Sequence, residues 1–148
     1  MPHEMTHRSL AVAAFNETWA LLERTRSAAE DLTMLEVAFT SRHHWHAEGG
    51  AQQAVIADWL VSRCFAELGE GRLAVRFANT ALDEEPSDAP AWLRASLLEG
   101  LARAHASNGD ADGRDLALRQ ATAALEAEQD PEDRAVIEGQ LATVPLAR

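Results

Sequence analysis

The sequence has little of several features that mark particular classes of protein. It contains one cysteine, so an intrachain disulfide is excluded. A membrane-spanning helix needs about 20 consecutive apolar residues, and no run of that length occurs. The N-terminus also lacks a basic region followed by an apolar core, the pattern of a secretory signal. We therefore expect a soluble cytoplasmic protein with no membrane partner.

Positive charge is also scarce. Arginine supplies all 13 basic residues, 24 residues are acidic, and the net charge is −11. Two thirds of the acidic residues lie between residues 67 and 148. A negative field of this kind repels phosphate groups, so we expect no nucleic-acid partner.

Apolar residues recur at helical spacing along almost the whole chain, without the alternation typical of strands. Glycine and proline interrupt this pattern and mark the ends of the helices. Seven helices are predicted. The first four span about 6–25, 29–46, 51–68 and 72–85. The fifth has its N-cap at Ser87 or Asp88 and ends at Asn108-Gly109, the sixth spans about 112–128, and the seventh runs from Pro131 to about 143. The predicted fold class is all-α.

A spaced set of small residues indicates how the helices pair. The set consists of Phe65, Gly69, Ala74, Ala78, Ala81 and Pro86, and part of it recurs as Gly109, Ala117 and Ala124. The spacing resembles a tetratricopeptide repeat (TPR), a helix-turn-helix unit whose two helices meet at small side chains. It predicts one domain over residues 1–148, a right-handed α-α superhelix of about three hairpins with a C-terminal capping helix. Because alanine is abundant throughout, an ordinary helical bundle is the alternative.

Four further segments support this resemblance. They are Phe15-Asn16-x-x-Trp19-x-Leu21-Leu22, Ser41-Arg42-x-His44-Trp45, Asp58-Trp59-x-x-Ser62-Arg63-x-Phe65 and Leu68-Gly69. With them the chain resembles an uncharacterised family of bacterial TPR-like proteins. The resemblance implies a TPR-like fold and a cytoplasmic protein, and it implies no activity. Peptide-binding TPR domains clamp a carboxylate tail with lysine and asparagine, whereas this chain has Trp59 and Arg63.

The first helix of each unit is expected to face a concave groove. Residues four apart share one face of a helix, so Trp59 with Arg63 and Glu99 with Arg103 are expected to lie in that groove. The predicted peptide-binding residues are Asn16, Trp19, Arg42, His44, Trp45, Trp59, Arg63, Glu99 and Arg103. In this hypothesis Arg63 and Arg103 hold an acidic group, Trp19 and Trp59 make apolar contact, and the segment 42–45 lines one end. The alternative is that the tryptophans belong to the core and the arginines pair with Asp58 and Glu99.

The sequence thus predicts a non-enzymatic module that binds a peptide or protein, without cofactor, metal or catalytic residue. Two other hypotheses stay open: a metal site built from His43, His44 and His46, and a self-associating structural protein that forms homo-oligomers through its alanine-rich outer helices. The segment His3–His7 matches H-E-x-x-H, the motif of zinc proteases. Helices fray near their ends, and the sequence shows no third ligand, so we attribute this match to chance.

Overall fold

The computed structural model describes residues 5–147, and within this range the protein has seven helices and no strand. The helices are α1 (His7–Leu22), α2 (Ala28–Glu48), α3 (Ala51–Glu67), α4 (Gly71–Asp83), α5 (Ala91–Ser107), α6 (Ala111–Leu125) and α7 (Pro131–Ala142). The all-α class is confirmed. None of these helices has the length and hydropathy required to cross a bilayer.

Polar side chains begin several of the helices at the positions where free backbone N–H groups need acceptors. At the start of α2, Ser27 and Glu30 form a reciprocal capping box, with N–O distances of 3.2 and 3.1 Å. At the start of α7, Asp130 accepts hydrogen bonds from the backbone of Glu132 and Asp133, and Pro131 occupies the first helical position. The predicted start of the seventh helix is confirmed.

Helices α3 and α5 end in the same type of turn. After α3, Gly69 has a φ of 76°, and the Glu70 N–H donates to the carbonyl of Phe65 at 2.9 Å. After α5, Gly109 has a φ of 74°, and the Asp110 N–H donates in the same way at 2.9 Å, to the carbonyl of His105. Both are Schellman turns, in which glycine takes the left-handed conformation that other residues avoid. The recurrence of Gly69 as Gly109 therefore corresponds to a repeated structure.

The start of α5 differs from the prediction. Its N-cap is Pro90 rather than Ser87 or Asp88. Residues 87 and 88 belong to a turn, in which the Ala89 N–H donates to the Pro86 carbonyl at 3.0 Å. Proline disfavours a helical conformation in the residue before it, so the helix begins only after Pro90.

Consecutive helices pack on one another, most extensively within the pairs α1–α2, α3–α4 and α5–α6. The odd-numbered helices also contact one another in series, α1 with α3, α3 with α5 and α5 with α7. Within residues 5–147, the backbone of α4 does not come close to that of α2 or α6, and α2 meets α4 through side chains such as Phe39 and Phe77, whose ring centroids are 5.6 Å apart. The last helix, predicted to cover the final pair, packs more on α5 than on α6. The odd-numbered helices therefore form one continuous wall.

Small residues of α4 lie against α3. Ala74, Ala78 and Ala81 are almost completely buried, as predicted. Ala74 and Ala78 share a core cluster with residues of α3, and the Ser62 hydroxyl donates to the Ala74 carbonyl at 2.7 Å. Such close contact leaves no space for a larger side chain, because protein cores are packed as densely as crystals.

Candidate functional site

A cavity of about 350 Å³ lies in the wall of odd-numbered helices, and every residue that lines it comes from α1, α3, α5 or α7. Aromatic rings form much of its surface: Phe15, Trp19, Trp59 and Trp92. The centroids of the Trp19 and Trp59 rings are 5.8 Å apart, and those of Phe15 and Trp19 are 6.5 Å apart with the rings nearly edge to face. Such pairs stabilise one another beyond the area they bury.

Aliphatic side chains complete most of the wall, and only three lining residues are polar. The aliphatic residues are Ile56, Leu93, Leu97, Val136 and Ile137, and the polar residues are Ser96, Asp133 and Gln140. A mainly apolar cavity with a few polar groups is the usual form of a ligand site.

Helical spacing places charged residues next to the cavity, toward the C-terminal ends of α3 and α5. On α5, Trp92 and Ser96 line the cavity, and Glu99 and Arg103 follow on the same face at intervals of three and four residues. On α3, Arg63 follows Trp59 by four residues. One end of the site is therefore aromatic, and the other end carries charge.

Glu99 is the centre of the charged end. It is fully buried, and its Oε1 atom accepts from Arg103 Nε at 2.9 Å and from Arg103 Nη2 at 2.6 Å. Arg63 Nη1 lies 3.7 Å from the same oxygen. Arg103 Nη2 also donates to Thr143 Oγ1 at 2.9 Å and so ties α5 to the end of α7. All the charged contacts of Glu99 converge on one of its two oxygens.

Arg63 is held between a ring and a second cation. Its guanidinium carbon lies 5.2 Å from the centroid of the Trp19 ring, which is a cation–π distance. Burial lowers the pKa of Arg63, and the neighbouring charge of Arg103 lowers it further, whereas Glu99 opposes this change. Glu99 therefore compensates Arg63 only in part.

Several buried polar atoms in this region have no hydrogen-bond partner. They are Trp59 Nε1, Arg63 Nη1, Glu99 Oε2 and Gln140 Oε1. Outside this group, residues 5–147 contain one more such atom, His105 Nδ1. Leaving one buried polar group unpaired costs about 1–3 kcal/mol, so these four atoms lower the stability of the packing between α3, α5 and α7.

The structure brings together only part of the predicted groove. Trp19 and Trp59 line the cavity, whereas Arg63, Glu99 and Arg103 lie beside it without lining it, Arg63 against Trp19 and Arg103 against Gln140. A position in an open groove would leave Glu99 and Trp59 at least partly accessible to solvent, but Glu99 is fully buried and Trp59 is only 8% exposed. Both arginines pair with Glu99, as the alternative interpretation predicted, but Asp58, the other partner that it named, pairs with Arg42 and His46.

The other predicted residues lie elsewhere, because α2 is not one of the four helices around the cavity. Arg42 pairs with the buried carboxylate of Asp58, Trp45 is packed in a small core cluster, and the His44 Nδ1 atom lies 2.9 Å from His7 Nδ1. Asn16 is exposed on α1 and does not line the cavity. The segment 42–45 therefore does not line one end of this cavity.

Sequence reasoning missed Trp92, Ser96 and all the lining residues of α7. Trp92 was detectable, since it lies on the same face of the fifth helix as Glu99. The contribution of α7, including Val136 and Gln140, was not detectable, because its position over α5 is set by tertiary packing.

The three histidines proposed as a metal site point in different directions. The Nε2 atom of His46 lies 3.1 Å from Asp58, whereas His43 and His44 lie beside His7. Within residues 5–147, the one group with ligand atoms in mutual reach is His46, Asp58 and Glu84, within 4.8 Å of one another. Arg42 already neutralises Asp58 there, and its charge opposes a cation. Residues 3 and 4 of the H-E-x-x-H match lie outside the described residues.

Cys64 is unsuited to nucleophilic chemistry. It is fully buried in the core between α2, α3 and α4, and burial raises its pKa to about 12. The thiol is therefore protonated at neutral pH, and the thiolate is the form that reacts.

Comparisons with protein-family models, with curated proteins and with solved structures found no match to this chain. The TPR-like family suggested by the sequence stays a prediction, and the functional argument depends on the geometry of the cavity.

Proposed function

We propose that this protein is a non-enzymatic interaction module that binds a peptide segment of a partner protein in the cavity of its odd-numbered helices. One observation carries the proposal: a mainly apolar cavity of about 350 Å³ whose walls come only from α1, α3, α5 and α7. This volume lies in the range of about 300–1,000 Å³ typical of ligand sites. An apolar side chain of the partner is the group that such walls accommodate.

The arrangement of the helices supports a TPR-like superhelix as the scaffold of this module. Odd-numbered helices contact in series, and each of α2 and α4 packs against the odd-numbered helices before and after it. In stacked helical repeats, one helix of each pair lines an extended concave surface that serves as the binding face. The cavity would then be the deepest part of that surface.

The residues around the cavity are suited to binding a partner tightly. Tryptophan and arginine are the residue types most enriched among those that dominate interface energies. Trp19, Trp59 and Trp92 supply rigid apolar area, and Arg63 lies against Trp19. An acidic group of the partner would compete with Glu99 for the two arginines, so the apolar contact is the main source of affinity in this proposal.

Peptide selection on the full chain tests the proposal. A random peptide library displayed on phage is selected on the immobilised protein, and affinities of the enriched peptides are then measured by fluorescence polarisation. We expect the peptides to share an apolar anchor residue. Val136→Glu should weaken binding about tenfold or more, because it places a charge at the rim of the apolar cavity.

Leu116→Glu is the matched control. Leu116 is 49% exposed on α6, away from the cavity, and Val136 is 59% exposed on α7, so neither substitution disturbs the core. If no peptide is enriched, or if both variants bind the selected peptides as well as the wild type does, the cavity is not a peptide site.

A further inference from the structure

The charge on the lining of the cavity has one sign. Among the described residues that line it, Asp133 in the first turn of α7 is the only one that carries a charge. Val136 and Ile137 lie three and four residues later on the same face of α7 and continue the apolar wall. A carboxylate therefore lies at the edge of a space whose other walls are aromatic, aliphatic or neutral and polar.

An acidic segment, residues 126–133, lies along this edge of the cavity. Five of its eight residues are acidic and none is basic. Glu128 accepts a hydrogen bond from the backbone N–H of Trp92 at 3.1 Å, and Trp92 packs against a core cluster that contains Ile137 of α7. Trp92 and Ile137 both line the cavity. These contacts hold the acidic segment beside the Trp92 end of the cavity.

In the described part of the chain, no arginine or histidine forms an ion pair with the acidic segment. Arg134, the next residue along, pairs with Glu138 instead, at 3.1 Å. Partial loss of hydration raises the pKa of Asp133, and the negative charges of three neighbours raise it further: Asp130, Glu128 and Glu132. A cation bound at this edge would relieve the repulsion among these carboxylates.

The aromatic walls attract positive charge as well. The face of an aromatic ring is negatively polarised and attracts a cation within about 6 Å of its centre, most strongly when the ring is tryptophan. Phe15, Trp19 and Trp92 line the cavity and are each partly exposed. Trp19 already makes such a contact with Arg63, at 5.2 Å. Rings of this kind accept both an apolar group and a cation.

We propose that the peptide segment bound in the cavity is basic, with a lysine or arginine beside its apolar anchor and the cationic head of that side chain at Asp133. This inference rests on the proposed peptide-binding function. The methylene stem of lysine or arginine packs on apolar walls while its charged head stays at a wet edge. The apolar wall that begins one turn beyond Asp133 is left for the anchor.

An acidic segment of the partner is the competing occupant, because Arg63 and Arg103 lie beside the other end of the cavity. Glu99 pairs with both arginines and cancels one of their two charges, and neither arginine lines the cavity. A carboxylate that entered the cavity would instead meet Asp133. Like charges at close range raise the free energy of both ionised groups, so the cation is favoured.

Three small probes that differ only in charge separate these occupants. They are 3-phenylpropylamine, 3-phenylpropanol and 3-phenylpropanoate, which share a phenyl group on a three-carbon chain and are positive, neutral and negative at pH 7. Binding of each probe to the full chain is followed by tryptophan fluorescence, because three of the lining residues are tryptophans. We expect the amine to bind about fivefold more tightly than the alcohol, and the acid to bind most weakly.

Asp133→Asn tests the carboxylate at the edge. It should bring the affinities of the amine and the alcohol within about twofold and leave the affinity of the alcohol unchanged. Asp112→Asn is the matched control, since Asp112 is also exposed in the first turn of a helix, but that helix is α6 and the residue does not line the cavity. Raising the salt concentration to about 0.5 M should weaken only the amine, because ions screen exposed charges.

Equal affinities of the amine and the alcohol, tighter binding of the acid, or no binding of any probe would overturn the inference of a basic partner. So would an Asp133→Asn variant that keeps the preference for the amine. The proposed function is judged separately by the peptide selection. Selected peptides with an apolar anchor and no lysine or arginine beside it would retain that function and reject the basic partner, whereas an anchor beside lysine or arginine would support both.

Discussion

The indole of Trp59 packs directly on the backbone of Gly100. A Cβ atom added at Gly100 would lie 2.5 Å from Trp59 Cδ1 and 2.8 Å from Trp59 Nε1, closer than atoms approach in folded proteins. This contact brings α3 and α5 together at the cavity and fixes the orientation of the ring that forms its wall. The absence of a side chain at position 100 is therefore part of the site.

Gly100→Ala is expected to destabilise the protein and to change the tryptophan fluorescence, because Trp59 has to move. Overpacking of a core costs about 1–3 kcal/mol. Gly139→Ala on α7 is the matched control, since nothing lies within 4 Å of its added Cβ. Replacing glycine in a helix interior should stabilise it by about 0.5–1 kcal/mol. Urea unfolding measures the free energy of unfolding of both variants. If the two substitutions changed it in the same direction, the close contact at Gly100 would be contradicted.

Replacement of Glu99 should lower the free energy of unfolding far more than replacement of an exposed glutamate. Glu99→Ala leaves Arg63 and Arg103 with uncompensated charge in a largely buried region, which costs about 3–5 kcal/mol. Glu138→Ala removes the partner of Arg134 in an exposed pair, also four residues apart, and should cost less than about 1 kcal/mol. Chemical unfolding measures the stability that each variant loses. Equal losses in the two variants would show that the Glu99 cluster adds no stability.

Ala78→Leu tests the contact between α3 and α4. Ala78 is 1% exposed, and the added methylene groups have no space, so we expect a loss of about 1–3 kcal/mol and a lower melting temperature. Ala123→Leu on the exposed face of α6 makes the same change without a packing neighbour to displace. An unchanged melting temperature for Ala78→Leu would contradict the close helix contact on which the repeat alignment depends.

The contact between α1 and α2 is expected to weaken in acid. Burial lowers the pKa of His44 below its ordinary value of 6.5, and the nearby His43 and His7 lower it further. The unfolded chain then binds more protons than the folded protein just below pH 6.5, so stability falls as the pH decreases through that range.

Melting temperatures measured between about pH 7.5 and pH 5 should therefore decline less steeply in His44→Gln than in the wild type. His105→Gln is the control, because His105 lies on α5 beside Asp110 and away from this cluster. A slope that is unchanged by His44→Gln would show that His44 does not couple protonation to folding.

Local signals in the sequence were enough to locate the helices. Asp130 and Pro131 start α7, and Gly69 and Gly109 end α3 and α5, because caps and left-handed glycines act through bonds to neighbouring residues. The exception was α5, where two prolines in five residues delayed the start of the helix. The repeat-like spacing of small residues also identified the buried face of α4, including Ala74 and Ala78.

Tertiary structure decided the composition of the site. Spacing placed Trp59 and Arg63 on one face of α3, and Glu99 and Arg103 on one face of α5, but it did not show that the arginines converge on Glu99. That pairing depends on the distance between two helices that are about 40 residues apart in sequence. Helix packing also decided that α7 forms part of the cavity wall and that Arg42 lies beside Asp58, because side chains from distant segments meet only when helices pack. The sequence by itself determined the helices and their apolar faces, and only their packing determined that four of them enclose a cavity.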